Sequence, residues 1–461
     1  MVNFPRGKGL AVCIMMMLLQ SIFTQAQQHY NLQQLVAASQ HYFPQLKQKQ
    51  ALLGGARASV TDVKHSFLPQ VRGSEQLTFA SDNSLAGSYF TYGITPSTSA
   101  GVRAANTLEP ATGNLAVVYG EYELYNFGLN NAKLNYANAV ANLQAADLEK
   151  DEYNLQLELG RLYFNLLRYQ YRLRADSQNV DRYQHIATII RALTRSGLRA
   201  GADSSLAKAE LARTRISYNQ TAGKIAQLKA QLSFLTGIEP QQLLLDTLGN
   251  TTMPVSIAIS TPDTVNNPLL RYYQQKRMIG KYTEELIRKS YQPKILVSGA
   301  TWARGSSIQY NDQFKSLGTG LGYQRFNYAL GVSFSYNLFN GLYKKDKLAV
   351  NRFQQQALDA EYEQQKFALL TAQQQSAIAL STLQANLGEI TVQTQSAQDT
   401  YQQKLAQYRA GIISLIDLTN ASFVLYRSQT DYIEALNDWY TSQLEQAAAE
   451  GRLLPFIQSL K

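Results

Sequence analysis

The residues with the strongest chemical reactivity are few in this sequence and lie far apart. Four histidines occur, at His29, His41, His65 and His185, and their spacing is not that of a metal site. The single cysteine, Cys13, lies in an apolar N-terminal run, so we expect neither disulfides nor thiolate chemistry. The sequence has no phosphate-binding glycine loop and no nucleophile elbow. The pattern predicts a protein that is not an enzyme and needs no cofactor or metal.

Charge and the N-terminal sequence indicate an exported protein that does not bind nucleic acid. The chain has 43 basic and 33 acidic residues, and no basic run is longer than the pair Lys344-Lys345. Two basic residues precede the short apolar run Leu10–Leu19, and Thr24-Gln25-Ala26 fits a cleavage site. This pattern predicts a signal peptide over residues 1–26. No later apolar run is long enough for a transmembrane helix, so any membrane crossing would use β-strands.

One stretch of the sequence has the alternation expected of a membrane strand. Large apolar or aromatic residues alternate there with small or polar ones, and a strand exposes every second side chain on one face. The length is about that of a tilted strand that crosses a bilayer. The pattern predicts that the following side chains face lipid: Tyr328, Leu330, Val332, Phe334, Tyr336 and Leu338.

The segments after the strands predict very long helices. Residues 342–409 contain no proline and a single glycine, Gly388, and a helix of that length would extend about 100 Å. Leu155, Leu159, Leu162 and Leu166 follow the alternating spacing of a coiled-coil seam. Uncharged polar residues dominate between such seams, which fits either a hydrated channel wall or an ordinary solvated helix face.

An internal repeat organises the chain. Each half contains a helix, a strand, a loop, a strand, a very long helix, a turn and a further helix. The predicted helices cover residues 31–66, 129–196, 203–235, 267–290, 342–409 and 414–450. The predicted strands cover residues 70–80, 115–126, 294–304 and 328–339, with polar loops between paired strands. The predicted domains are a first repeat, a linker, a second repeat and a tail, over residues 27–240, 241–266, 267–455 and 456–461.

Four predicted strands are too few to close a barrel, and open strand edges cannot lie in lipid. Single-chain barrels have about eight or more strands. Several copies of the chain must therefore pool their strands, and three copies would give twelve.

Several short motifs, in the same order in both halves, resemble the TolC-type outer-membrane efflux protein family. They include the helix starts at Phe43-Pro44 and Asn267-Pro268, the strand entry Leu68-Pro69-Gln70 and the strand exit Leu338-Phe339-Asn340-Gly341. The resemblance covers nearly the whole mature chain. It implies a mainly α fold with a β-barrel part: a homotrimer in the outer membrane of a Gram-negative bacterium, with a 12-stranded barrel and a 12-helix periplasmic tunnel.

The resemblance also implies a function and its partners. The expected function is a passive outer-membrane conduit that receives substrate from a periplasmic adaptor protein and an inner-membrane pump. Two alternatives stay open, namely the outer-membrane component of a type I protein-secretion system and an exported coiled-coil structural protein.

The two helix turns of the repeat are the predicted docking tips. The resemblance implies adaptor contacts for Arg199, Ala200, Gly201, Ser204, Arg409, Ala410, Gly411 and Ser414. The residues themselves predict left-handed turns at Gly201 and Gly411, and we expect the apolar seams to weaken towards both turns.

The first residues after these turns are the predicted entrance and gate. Ser414 and Asp417 have the spacing of a helix capping box. Asp417 also matches an acidic position that lines the tunnel entrance in the family, while Asn420 stands where some members have a second acid. Together with Asp203, these two residues are the predicted entrance and gating residues.

Overall fold

The computed structural model describes residues 29–90, 96–197, 200–245, 267–310 and 312–460. The predicted signal peptide, Arg199 and most of the predicted linker lie outside these residues. The helices of the described residues are α1 (Leu32–Tyr42), α2 (Pro44–His65), α3 (Leu129–Arg195), α4 (Gly201–Thr236), α5 (Pro268–Ser290), α6 (Asn340–Arg409), α7 (Leu415–Ala449) and α8 (Leu453–Ser459). The strands are β1 (His29–Tyr30), β2 (Gln70–Ala80), β3 (Ser84–Phe90), β4 (Pro96–Val102), β5 (Ala111–Tyr125), β6 (Leu244–Leu245), β7 (Lys294–Ser306) and β8 (Arg325–Ser335).

The prediction of one continuous helix over residues 31–66 is wrong, because the helix breaks at Phe43. Pro44 follows this residue, and a proline ring disfavours helical backbone angles in the residue before it. Phe43 accordingly has a ψ of 117°, and α2 begins at Pro44, where a missing N–H costs nothing. Asn31 begins α1 with a capping box that involves Gln34.

The chain divides into two compact units. One comprises residues 1–54, 143–276 and 358–461, and its described part is almost entirely helical. Its largest buried cluster joins Leu159, Phe164 and Leu166 of α3 to Leu232 of α4 and Leu444 of α7. The seam predicted in α3 is therefore a true packing face. Strands β1 and β6 form a short parallel pair in the same unit.

The other unit comprises residues 55–142 and 277–357 and contains the main sheet. Its four antiparallel strands have the order β2-β5-β7-β8, so strands from the two sequence repeats meet at the β5–β7 pair. The predicted loop after β2 contains the hairpin β3–β4, and β5 begins at Ala111, where it pairs with Ala80. A 3₁₀ helix, Leu317–Leu321, lies between β7 and β8.

Strand β8 ends at Ser335, so the prediction that the strand continues through Tyr336 and Leu338 is wrong. The reason is a turn at Asn337, whose side-chain oxygen accepts the N–H of Phe339 at 2.9 Å. The Asn337 carbonyl accepts the N–H of Asn340 at 3.1 Å, which starts α6.

Among the described residues, no helix is both long enough and apolar enough to span a membrane.

Candidate functional site

The strand pairing gathers apolar side chains on one face of the main sheet. Residues opposite each other in a ladder point to the same face, and the register pairs Val297 with Val332 and Ile295 with Phe334. We call the following set the apolar sheet face: Val71, Leu77, Phe79, Val118, Ile295, Val297, Tyr328, Leu330, Val332 and Phe334. Four of them, on β8, are between 67% and 84% exposed. The period-two pattern predicted from β8 thus recurs on the other edge strand, β2, whereas β5 and β7 have apolar residues on both faces.

The opposite face of the sheet is more polar. It contains Arg72, Ser74 and Gln76 on β2, and Gly331 and Ser333 on β8, together with apolar residues of β5. The two faces therefore differ in polarity, as expected for a sheet between lipid and water.

The turn between α6 and α7 has the geometry of a left-handed helix end. Gly411 has a φ of +78°, which confirms the predicted left-handed conformation. The N–H of Ile412 donates to the carbonyl of Gln407 at 3.0 Å, and the N–H of Gly411 donates to that of Tyr408 at 3.0 Å. These bonds end α6 and reverse the chain within a few residues.

The predicted capping box at the start of α7 is confirmed. The Ser414 hydroxyl donates to Oδ2 of Asp417 at 2.6 Å, and the N–H of Asp417 donates back to that hydroxyl oxygen at 3.2 Å. The Ser414 N–H also donates to Oδ2 of Asp417 at 3.1 Å. The hydroxyl and this N–H together lower the pKa of the exposed Asp417 carboxyl, because both stabilise its charged form.

In the first repeat, the prediction of a left-handed Gly201 is wrong. Gly201 is the first residue of α4, and the left-handed glycine is Gly197, with a φ of +74°. Ala200 is the N-cap and has extended backbone angles, and its carbonyl accepts the N–H of Asp203 at 3.1 Å. Asp203 lies in the first turn of α4, where its charge complements the helix N-terminus.

Most of the predicted docking residues are exposed. Ala200, Gly201, Arg409, Ala410, Gly411 and Ser414 are exposed, whereas Ser204 is half-buried. Of the predicted entrance residues, Asp417 and Asn420 are exposed and Asp203 is half-buried.

A buried core extends up to both turns, contrary to the expectation that the seams weaken there. Tyr408 and Leu415, on either side of Gly411, are each 2% exposed. They belong to one cluster with Ile190 of α3 and Ala207 of α4. The helices that meet at the two turns therefore share a core. The polar residues near the α6–α7 turn, such as Arg409 and Ser414, lie on the exposed helix surface, where Ile412 and Ile416 are exposed as well.

A buried polar cluster between α3, α4 and α7 has no counterpart in the sequence predictions. Asp176 of α3 is 1% exposed and accepts hydrogen bonds from the hydroxyls of Tyr426 at 2.5 Å and Thr221 at 2.6 Å. Ser217 donates a longer bond of 3.3 Å to the same carboxylate. Burial raises the pKa of Tyr426, and the hydrogen bond to Asp176 raises it further. The signal in the sequence was that Asp176 continues the apolar heptad spacing of α3.

No group of three or more His, Cys, Asp or Glu side chains that could hold a metal occurs in the part of the chain that the structure describes. His185 lies exposed on α3.

The two halves of the chain each contribute two strands of the main sheet and two long helices. The model of the outer membrane efflux protein family matches residues 35–238 and 264–452, one match in each half of the chain. The chain belongs to this family. The resemblance, the mainly α fold class and the two-fold repeat predicted from the sequence are thereby confirmed.

Several solved structures share the fold. The outer-membrane channel OprN is 20% identical, with a TM-score of 0.72, and the match covers 91% of this chain and 89% of that one. The CmeC outer membrane channel of Campylobacter jejuni is 15% identical, with a TM-score of 0.75 and coverages of 92% and 86%. The outer membrane protein VceC of Vibrio cholerae is 15% identical, with a TM-score of 0.70 and coverages of 91% and 96%. No curated protein sequence matches the chain.

Proposed function

We propose that the protein is the outer-membrane conduit of a tripartite export system in a Gram-negative bacterium. Three copies pool their strands into a 12-stranded barrel in the outer membrane, and their helices form a tunnel in the periplasm. The two repeats act as equivalent halves of each subunit, over residues 27–240 and 267–455. The conduit is passive, and the inner-membrane pump supplies the energy for transport.

The main sheet is the observation that carries this proposal. One face of this sheet is the apolar sheet face. Its two edge strands, β2 and β8, each have one strand neighbour within the sheet. Unpaired backbone N–H and C=O groups are too costly to expose to lipid. The requirement is met if β8 of one copy pairs with β2 of the next. Three copies of four strands then close a barrel with no free edge.

The two turns support a docking role at the periplasmic end. The α6–α7 turn, from Arg409 to Ser414, and the α3–α4 turn, with exposed Ala200 and Gly201 and half-buried Ser204, offer a surface to a periplasmic adaptor. Arg199 belongs to the same proposal but lies outside the described residues. Asp203, Asp417 and Asn420 would line or gate the entrance nearby. A gated entrance needs two arrangements of close free energy, between which a partner can select.

Two versions of the conduit differ in the kind of molecule that they export. An adaptor with a multidrug or metal pump implies small-molecule efflux, and an adaptor with an ATP-driven exporter implies type I protein secretion. An exported coiled-coil structural protein would need the helix seams but not the apolar sheet face, so the sheet favours a conduit.

The assembly can be tested directly on protein purified from the outer membrane in a neutral detergent. Native mass spectrometry should give three copies of the processed chain, and insertion into a planar bilayer should give discrete conductance steps. A second test uses Ser333→Cys paired in turn with Arg72→Cys, Ser74→Cys or Gln76→Cys, because each pair lies on the polar face of the two edge strands. The only natural cysteine is Cys13, in the predicted signal peptide.

At least one pair should form a disulfide between subunits and give a ladder up to a trimer on a non-reducing gel. Ser333→Cys alone is the matched control and should give no ladder. A monomer in detergent, with no cross-link from any pair, would overturn the proposal.

A further inference from the structure

Within the helical unit, α3 and α7 separate enough to leave a hollow beside α6. Its walls are Phe164, Leu167 and Tyr171 of α3 and Tyr432, Leu436 and Tyr440 of α7. The empty space, counted out to the solvent opening, is about 1050 Å³. Phe164 and Tyr440 lie parallel on one side with ring centroids 5.3 Å apart. The hollow therefore offers a largely aromatic surface to a flat or chain-like apolar molecule.

Positive charge borders this hollow, and none of the described residues that line it is acidic. Arg168 and Arg174 are among its lining residues, together with three side-chain amides, and no Asp or Glu is among them. The guanidinium carbons lie 4.9 Å and 5.7 Å from the ring centroids of Tyr169 and Tyr171, respectively. These cation–π contacts hold the cations at the border, and they leave the N–H groups available to an anion.

Two other arginines of α3 provide an internal comparison. Arg161 pairs with Glu445 at 2.5 Å, and Arg172 pairs with Glu434 at 3.4 Å, so both cations are matched by acids of α7. Among the described residues, neither Arg168 nor Arg174 has a carboxylate within ion-pair distance. The unmatched arginines are thus the ones that border the apolar hollow.

We propose that this hollow binds an anionic amphiphile, a small molecule with an apolar ring or chain and one acidic head group. The apolar part lies between the aromatic walls. The acidic head group accepts N–H bonds from Arg168 and Arg174, whose planar forks match a carboxylate, sulfonate or phosphate. A cationic molecule would be repelled by the same pair, and a neutral one would gain only the apolar contact. The site is independent of the conduit function, because it needs no neighbouring subunit or partner protein.

The test uses the full-length processed protein in a neutral maltoside detergent and two matched photoreactive probes. One is dodecanoic acid with a diazirine in its chain, and the other is the corresponding dodecanol. Both partition into detergent micelles, so the measurement is site-specific: mass spectrometry of labelled peptides that contain residues 164–175 or 429–440. The acid should label these peptides about tenfold more than the alcohol, which corresponds to about 1.4 kcal/mol.

Three variants decide the interpretation. Arg168→Gln/Arg174→Gln should reduce labelling by the acid to the level of the alcohol, since it removes the charge and keeps the hollow. Leu436→Trp should reduce labelling by both probes, because the larger ring narrows the hollow between the aromatic walls. Arg172→Gln is the control, since Arg172 lies on the same helix but not in the hollow, and it should leave the preference for the acid unchanged.

Equal labelling by acid and alcohol would overturn the proposal. So would an acid preference that survives Arg168→Gln/Arg174→Gln. The double arginine variant changes partly exposed side chains and should assemble normally, so the proposal stays falsifiable even where Leu436→Trp fails to fold.

Discussion

The hydroxyl of Tyr426 lies 2.5 Å from a carboxylate oxygen of Asp176, and this contact joins α7 to α3. Asp176 is buried, and the donors to its carboxylate are hydroxyls of α4 and α7. Buried polar groups are costly unless they are fully hydrogen-bonded, so one relative position of the helices satisfies Asp176 far better than others. We therefore expect the cluster to favour one register of the three helices.

Replacement of Tyr426 by Phe should destabilise the protein. The change keeps the ring and removes the short bond to Asp176, and a buried acceptor that loses a donor costs about 1–3 kcal/mol. The thermal unfolding midpoint of the purified protein measures the effect. Tyr218→Phe is the matched control, because Tyr218 is 37% exposed, and it should leave the midpoint unchanged. Equal midpoints for the two variants would argue against a role for Asp176 in helix register.

Replacement of Gly411 by Val should disturb the α6–α7 turn, whereas the same change at Gly201 should be tolerated. An added Cβ would meet no atom within 4 Å at either glycine, so only the backbone differs. Gly411 has a φ of +78°, and a residue with a side chain pays about 1–2 kcal/mol there. Export by cells that carry each variant should fall for Gly411→Val alone, with normal trimer levels in the outer membrane.

Export and trimer level together distinguish a role of the turn in docking from a role in folding. Normal export by Gly411→Val would refute the proposed docking role of the turn. Loss of the trimer itself would instead mean that the turn is needed for folding.

The two faces of β8 should respond differently to a charge. Phe334 belongs to the apolar sheet face, and its neighbour Ser333 points to the polar face. An arginine that faces lipid costs about 2–4 kcal/mol near the middle of a membrane and less towards its edge, and one that faces water costs less still. Phe334 is the last residue but one of β8, so Phe334→Arg should lower the yield of assembled protein in the outer membrane below that of Ser333→Arg by less than a charge at the middle of the strand would. Equal yields would contradict the assignment of the lipid face.

The ion cluster around Asp147 should make stability sensitive to acid. Burial alone would raise the pKa of Asp147, but hydrogen bonds from Lys150 and Lys49 outweigh burial and lower it. A carboxyl whose pKa is lower in the folded state stabilises the fold above its unfolded pKa of about 3.9. That contribution is lost as the pH falls through the lower folded value.

The Asp147→Asn variant should therefore lose less thermal stability than the natural protein when the pH falls below about 4. Asp62→Asn, at an exposed position of α2, is the control and should show the acid sensitivity of the natural protein. An unchanged acid profile for Asp147→Asn would mean that the cluster contributes little to stability.

Features with a local cause were predictable from the sequence. The period of the apolar residues indicated the long helices α3 and α6, and the alternation before Ser335 indicated β8. The spacing of Ser414 and Asp417 indicated the capping box, because a cap depends on residues only three positions apart. The internal repeat indicated the same order of helices, strands and turns in both halves.

Other features depended on tertiary contacts. Gly201 and Gly411 occupy equivalent motifs, yet only Gly411 is left-handed, because the first turn uses Gly197 instead. Asp176 occupies a seam position whose polarity makes sense only once hydroxyls from α4 and α7 surround it. A glycine inside a helix is usually destabilising, so the sequence alone suggests that Gly160 weakens α3. In the structure, however, a Cβ there would lie 2.7 Å from Leu444 of α7. In each case the sequence determined the periodicity and the local caps, whereas the tertiary structure decided which residues became neighbours, because those contacts join parts of the chain that no local pattern relates.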